Sequence, residues 1–229
     1  MARHKIFTHI TDYDMSKLDI VKSETTERGR VYFHPNGCSY PSVTTVMSTL
    51  SKEGIDKWKL RVGEEEAKKI LVQASRKGTK LHDMCERYIM NEENYKDKND
   101  IITNMSFKFI QNCLDKYVDD VYGVEKALYS DYLGLAGKTD LIAKFKGKLS
   151  VIDFKTSKKE KTKDQILSYF LQATSYSIMF EELTGIPINN LVILMTFNDG
   201  GGCIFEEKRD NYVEQLMNVI KKYNESMKC

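Results

Sequence analysis

Residues 134–159 constrain the fold most, because they predict one β-hairpin with a defined register. The segments DLIAKF and LSVIDFK are rich in β-branched and aromatic residues, which favours strands. They flank Lys146 and Gly147, and a two-residue connection is a common way to join antiparallel strands. A turn at these two residues pairs Phe145 with Lys148, and that pair sets the partner of every other residue in the hairpin.

The predicted register brings two carboxylates together at the open end of the hairpin. Counted outward from the turn, Asp140 falls directly opposite Asp153, and such partners have Cβ atoms roughly 4.5–5.5 Å apart. Lys155 follows two residues after Asp153 and therefore lies on the same face. Carboxylates this close repel each other unless a cation neutralises them, and oxygen ligands suit hard cations such as Mg²⁺. The hairpin predicts a metal-dependent active site; the alternative is a surface hairpin with a cross-strand Asp–Lys salt bridge.

The composition indicates one globular domain. The chain has 229 residues, of which 41% are hydrophobic and 30% charged, and this suffices for a sizeable core. No apolar run approaches the roughly 20 residues that cross a bilayer, and residues 1–15 lack the apolar core of a signal peptide,. We therefore expect an intracellular, cytoplasmic protein without membrane contact. The net charge of +2 is too small for a protein that coats nucleic acid, so any such affinity must come from local patches.

The order of the predicted elements is that of an α/β fold. Apolar periodicity predicts a small hairpin, then a helical stretch, three strands, a helix, two closing strands and a terminal helix,. This order favours a central mixed sheet flanked by helices, with a helical N-terminal half. We predict a single domain over residues 1–229, made of an N-terminal extension (1–39), a mainly helical part (40–120), and the catalytic sheet with its helices (121–229).

Four motifs occur in a fixed order between about residues 40 and 180. They are G-x-x-x-H-x-x-x-E with His82 and Glu86, T-D with Asp140, D-x-K with Asp153 and Lys155, and Q-x-x-x-Y with Gln172 and Tyr176. Together they resemble the PD-(D/E)XK nuclease superfamily. Within its RecB-type branch, the chain is most similar to the mitochondrial genome-maintenance exonucleases and their phage-encoded relatives. The resemblance implies a restriction-endonuclease-like core and a metal-dependent nuclease.

The resemblance also implies a metal-binding set. Asp140, Asp153 and the backbone carbonyl of Phe154 would hold Mg²⁺ or Mn²⁺, and His82 would complete the shell or hold a second ion. Imidazole is better suited to transition metals than to Mg²⁺, which favours Mn²⁺. Glu86 would contribute a further catalytic carboxylate. From spacing alone, the alternative is a surface His–Glu pair on an amphipathic helix, since the two residues lie four apart,.

Further residues are implied in catalysis and DNA binding. Lys155 would position the attacking water and stabilise charge in the transition state, and Gln172 would orient Lys155 or the phosphate. The implied contacts to nucleic acid are made by an aromatic residue and by the polar and basic residues after the D-x-K motif: Tyr176, Thr156, Ser157, Lys158 and Lys159. The residues by themselves leave two alternatives, a core position for Tyr176 and a solvated loop for the basic run.

The function implied by the resemblance is a metal-dependent DNA exonuclease. Its substrate would be single-stranded DNA, and its role would lie in replication, repair or recombination. In a phage-encoded protein, the location would be the host cytoplasm. Two alternatives stay open: a structure-specific or restriction-like DNA endonuclease with the same chemistry, and a non-catalytic nucleic-acid-binding module. Some RecB-type nucleases hold an iron–sulfur cluster with four cysteines, three of them near the C-terminus. Only Cys203 and Cys229 follow the core here, so we expect no such cluster.

Overall fold

The computed structural model describes residues 5–27, 29–96 and 100–228. Its strands are β1 (Lys22–Thr26), β2 (Gly29–Phe33), β3 (Ser39–Pro41), β4 (Val118–Ser130), β5 (Leu135–Phe145), β6 (Lys148–Ser157), β7 (Asn190–Phe197) and β8 (Gly202–Lys208). Its helices are α1 (Val43–Ser48), α2 (Lys52–Val62), α3 (Glu64–Ile89), α4 (Ile101–Tyr117), α5 (Leu167–Thr184) and α6 (Val213–Ser226). Cys229, one of the two cysteines that follow the core, lies outside the described residues.

Two sheets organise the chain. The larger has five strands in the order β4-β5-β6-β7-β8, and it is mixed because β6 and β7 are parallel while the other neighbours are antiparallel. The parallel pair requires a crossover, which α5 provides. The smaller sheet, β1-β2-β3, lies in the N-terminal half and contains the predicted small hairpin. The predicted α/β class, with a central mixed sheet flanked by helices, is confirmed.

The central hairpin has the predicted turn and register. Lys146 and Gly147 have φ values of 49° and 78°, and positive φ at both positions is the signature of the turn type that matches strand twist. Phe145 pairs with Lys148, and the ladder continues outward to the pair of Leu141 and Ile152. The backbone pairing of β5 with β6 ends there, one position before the two aspartates.

The sheet separates two apolar layers. On one face, α1, α5 and α6 pack against strand residues such as Ile142 and Val151. On the other face, α3 and α4 pack against the alternate residues, among them Leu141 and Ile152. Because successive strand side chains point to opposite faces, both faces of the central strands are buried. Across the three described stretches, no helix combines the length and the apolar character of a membrane span.

Candidate active site

The open end of the β5–β6 hairpin holds two buried carboxylates. Asp140 is 8% exposed and Asp153 is 1% exposed. The N–H of Phe154 donates to Oδ2 of Asp140 over 2.7 Å, so a side chain replaces the backbone acceptor where the ladder ends. Isolated buried carboxylates are costly, which makes this end of the hairpin a place where cations are needed.

His82 on α3 contacts two predicted metal ligands at once. Its Nε2 donates to the carbonyl oxygen of Phe154 over 2.9 Å, and its Nδ1 lies 3.2 Å from Oδ1 of Asp140. Burial by itself would lower the pKa of His82, but the adjacent Asp140 carboxylate raises that pKa to about 8. An imidazolium, which donates from both nitrogens, therefore suits this position in the metal-free protein.

Lys155 supplies the second cation at the site. Its Nζ lies 2.5 Å from Oδ2 of Asp153 and 5.1 Å from the ring centroid of Tyr169. Burial would lower the pKa of Lys155, but the negative charges of Asp153 and Asp140 raise it overall. The ammonium therefore stays protonated at neutral pH and can interact with an anionic substrate.

The pKa values of the two carboxylates are shifted in opposite directions. Burial raises the pKa of Asp153 to about 6 despite the opposing charge of Lys155. Burial also acts to raise the pKa of Asp140, but the charge of His82 and its hydrogen bond lower that pKa, and the net shift is downward. Opposite shifts of neighbouring carboxyl groups are typical of active sites.

The residues present fit a divalent cation. Both side-chain oxygens of Asp153 are buried. Oδ2 lies 2.5 Å from the Lys155 ammonium, whereas Oδ1 accepts no hydrogen bond from the described residues, although buried acceptors are normally satisfied. One ligand atom each from His82, Glu125 and Asp140 lies within 4.8 Å of the others. This spacing matches ligands that surround a common ion at roughly 2.0–2.6 Å.

Glu125 on β4 is a residue that the motifs do not indicate. The β4–β5 register pairs Val124 with Leu141 and Lys126 with Thr139, which places Glu125 opposite Asp140. Its φ of 51° breaks the ladder locally. The side chain forms an ion pair with Lys138 at 2.8 Å, and burial raises the pKa of Glu125. Counting residue pairs outward from the turn between β4 and β5 would have placed Glu125 opposite Asp140.

A cavity of about 680 Å³ opens beside these groups. The N-terminal sheet adds Arg30 and Tyr32 to its wall, although residues 1–39 carry no recognisable motif. Asp153, which is 1% exposed, is not among the residues that line the cavity. The cavity brings six predicted site residues together: His82, Glu86, Asp140, Lys155, Gln172 and Tyr176.

Gln172 and Tyr176 form a pair on α5. Nε2 of Gln172 donates to the hydroxyl of Tyr176 over 3.3 Å, while no hydrogen bond joins Gln172 to Lys155 among the described residues. Tyr176 is 2% exposed, and a Cβ at Gly137 would lie 2.7 Å from its Cε1. The ring of Tyr176 is therefore part of the core, as the alternative interpretation had it, and the residue also lines the cavity.

The residues after Lys155 lie elsewhere. Thr156, Ser157 and Lys158 line a second cavity of about 240 Å³ beside α3. Lys159 is exposed, and its carbonyl oxygen accepts a hydrogen bond from Oγ of Ser157 over 2.6 Å. Thr156 follows Asp153 by three positions on β6, and these predicted nucleic-acid contacts do not line the cavity that contains His82, Asp140 and Lys155.

Comparisons with known proteins agree with this arrangement. Over 148 residues, the chain is 32% identical to human mitochondrial genome maintenance exonuclease 1, covering 59% of this chain and 42% of that protein. The mouse protein of the same name is 25% identical over 207 residues, covering 83% of this chain and 60% of that protein. The chain thus spans about half the length of these curated relatives.

A solved structure of a candidate exonuclease from Eubacterium rectale shares 14% identity at a TM-score of 0.43 and covers 65% of this chain and 64% of that chain. Such a score carries no statement on activity. The family model for the PD-(D/E)XK nuclease superfamily, by contrast, matches residues 43–214, which include all four motifs and all five strands of the larger sheet. The chain belongs to the PD-(D/E)XK nuclease superfamily.

Proposed function

We propose that this protein is a divalent-metal-dependent exonuclease that hydrolyses phosphodiester bonds of single-stranded DNA in replication, repair or recombination. The observation that carries the proposal is the buried pair of Asp140 and Asp153 beside Lys155. Membership in the superfamily supports nuclease chemistry, and the names of the curated relatives support the exonuclease mode. A cytoplasmic location belongs to the same proposal.

The metal ligands in this proposal come from three elements. Asp140, Asp153 and the carbonyl oxygen of Phe154 would hold Mg²⁺ or Mn²⁺, with His82 and Glu125 as further ligands. The oxygen donors suit both ions, and the imidazole favours Mn²⁺. A cation bound here would polarise the scissile phosphate and lower the pKa of a bound water.

The remaining residues act on the phosphate and on the attacking water. Lys155 carries a proton at neutral pH and would orient the water while its charge stabilises the transition state. Gln172, fixed by its hydrogen bond to Tyr176, would present its amide to a phosphate oxygen. Glu86 lies in the same wall and would serve as a further carboxylate at the site. In this proposal Tyr176 orients Gln172 through that hydrogen bond, in place of the nucleic-acid contact that the resemblance implies.

The exonuclease mode is tested with linear and circular single-stranded DNA of the same sequence. We expect Mn²⁺-dependent release of nucleotides from the linear strand, none with EDTA, and little cleavage of the circle, because an exonuclease requires a free end. Equal cleavage of the circle would replace the exonuclease with the endonuclease alternative. Binding without cleavage under any divalent metal would favour the non-catalytic module.

Time courses on 5′-labelled and 3′-labelled strands then give the polarity. The same substrate made as RNA tests the preference for DNA. Because backbone charge rather than base identity would hold the strand, we expect affinity to fall steeply with salt.

A further inference from the structure

We propose that the second cavity is a phosphate-binding subsite for the polynucleotide backbone next to the scissile bond, and that the strand reaches it over Gly78. The proposal rests on the proposed function and deepens it by adding a part of the substrate path. We call this cavity the Lys77 subsite. It is lined by Ile70, Gln73, Ala74, Lys77, Thr156, Ser157, Lys158 and Asn198.

The lining of the Lys77 subsite suits an anion. It contains two lysines, two hydroxyl groups and two amides, and none of its described residues is acidic. The whole chain carries 33 acidic against 35 basic residues, so a lining that contains cations without carboxylates differs from the surface at large. Hydroxyls, amides and lysines are the groups that contact phosphate oxygens in nucleic-acid complexes.

Lys77 itself needs a counterion. Its side chain is half-buried, and its Nζ donates to Oδ1 of Asn198. Among the residues that the structure describes, no carboxylate oxygen lies within 4.0 Å of this ammonium, and burial lowers the pKa of Lys77. Burial of a charge whose hydrogen-bond partner is neutral is unfavourable, and the charge of Asp100 offsets the effect of burial on Lys77 only in part. A phosphate would provide a charge-assisted hydrogen bond there.

The Lys77 subsite adjoins the active-site cavity. Lys77 lines the subsite, and its neighbour Gly78 lines the active-site cavity. On β6, Thr156 lines the subsite and its neighbour Lys155 lines the active-site cavity. On both α3 and β6, consecutive residues therefore line the two cavities. A strand whose scissile phosphate lies at Lys155 would place an adjacent phosphate in the subsite.

Gly78 has no structural reason to be glycine. It lies inside α3, its φ is not positive, and a Cβ built on it would have no atom within 4 Å. Glycine is among the least favourable residues in a helix interior. Close approach of a ligand to the backbone is another use of glycine, and Gly78 lies where the strand would pass from one cavity to the other.

The first test measures binding of a 20-nucleotide single strand by fluorescence anisotropy in EDTA. We expect Lys77→Ala to weaken binding about tenfold, since hydrogen bonds to charged groups contribute at that scale. Lys221→Ala on the exposed face of α6 is the control and should leave the Kd within twofold. An unchanged Kd in Lys77→Ala would overturn the subsite. Because this readout needs no catalysis, it is independent of whether wild type cleaves DNA, and a wild type without cleavage would overturn the proposed function instead.

The second test uses a matched pair of helix glycines. Gly54 in α2 also has no atom within 4 Å of a built Cβ, and it lines neither cavity. We expect Gly78→Ala and Gly54→Ala both to raise Tm, while only Gly78→Ala weakens binding of the 20-nucleotide strand. A Gly78→Ala variant that is more stable and binds equally well would overturn the passage over Gly78. A lower Tm of Gly78→Ala would overturn it too, because the glycine would then be required for the stability of the fold.

Discussion

His82 Nε2 lies 2.9 Å from the carbonyl oxygen of Phe154, so a helix residue contacts the backbone between the aspartate and the lysine of the D-x-K motif. The contact ties α3 to the end of β6. In the metal-free protein, the imidazole donates to groups that would otherwise be metal ligands. The charge of the His82 imidazole therefore depends on pH and on whether a metal ion is bound.

We expect the metal-free protein to lose stability as the pH rises from about 6.5 to about 8. The pKa of His82 is raised to about 8, so its stabilising contribution is fully present below the unfolded-state value of about 6.5 and disappears above 8. The expected loss is about 2 kcal/mol at most, because one pKa unit corresponds to about 1.4 kcal/mol. Urea unfolding in EDTA across this range measures it.

His82→Gln should remove the pH dependence between 6.5 and 8. A component at lower pH should persist, because the pKa of Asp153 is raised to about 6 and its neutral form favours folding as the pH falls. An unchanged slope above pH 6.5 in His82→Gln would show that another group titrates there.

We expect Asp153→Asn to abolish cleavage and to leave the fold intact. The variant removes a buried carboxylate whose ionised form is penalised by burial, so without metal its Tm should be no lower than that of wild type. Nuclease assays with Mn²⁺ and thermal unfolding in EDTA measure the two effects. Asp119→Asn on the exposed part of β4 serves as the control. More than a few per cent of residual activity in Asp153→Asn would contradict its role as a ligand.

We expect Lys155→Ala to lose cleavage while it keeps DNA binding. One ammonium among several phosphate contacts changes affinity modestly, whereas its place beside Asp153 suits the attacking water. Lys155→Arg should not restore activity, because a planar guanidinium cannot replace a compact ammonium. Lys148→Ala, at the other end of β6, should behave like wild type. Equal losses of binding and cleavage in Lys155→Ala would make it a phosphate anchor only.

We expect Glu125→Gln to weaken Mn²⁺ binding, measured by calorimetry, by about tenfold, in the range reported for residues that support metal sites. The change keeps the shape of the side chain and removes its charge next to His82 and Asp140. Glu214→Gln on α6 provides an exposed control of the same chemistry. Wild-type Mn²⁺ affinity in Glu125→Gln would show that Glu125 is no metal ligand and that its ion pair with Lys138 is its role.

The strands, the helices and the closeness of Asp140 to Asp153 could be predicted from the sequence. A two-residue turn at Lys146 and Gly147 allows only one register, so the partners of the hairpin could be counted, and the position of Asp140 beside Asp153 followed. The periods of 2 and 3.6 residues likewise predicted the strands and helices, because apolar side chains must face the core. These are local rules, and they need no knowledge of how distant segments meet.

Contacts between residues that are distant in the sequence depend on tertiary packing and could not be predicted from these local rules. Glu125 reaches Asp140 through a backbone with positive φ, and Lys77 on α3 contacts Asn198, which directly follows β7. The core position of Tyr176 also depends on the close approach of α5 to Gly137. Such contacts are set by the packing of whole elements, whose crossing and spacing follow from many side chains at once, and no short motif encodes them.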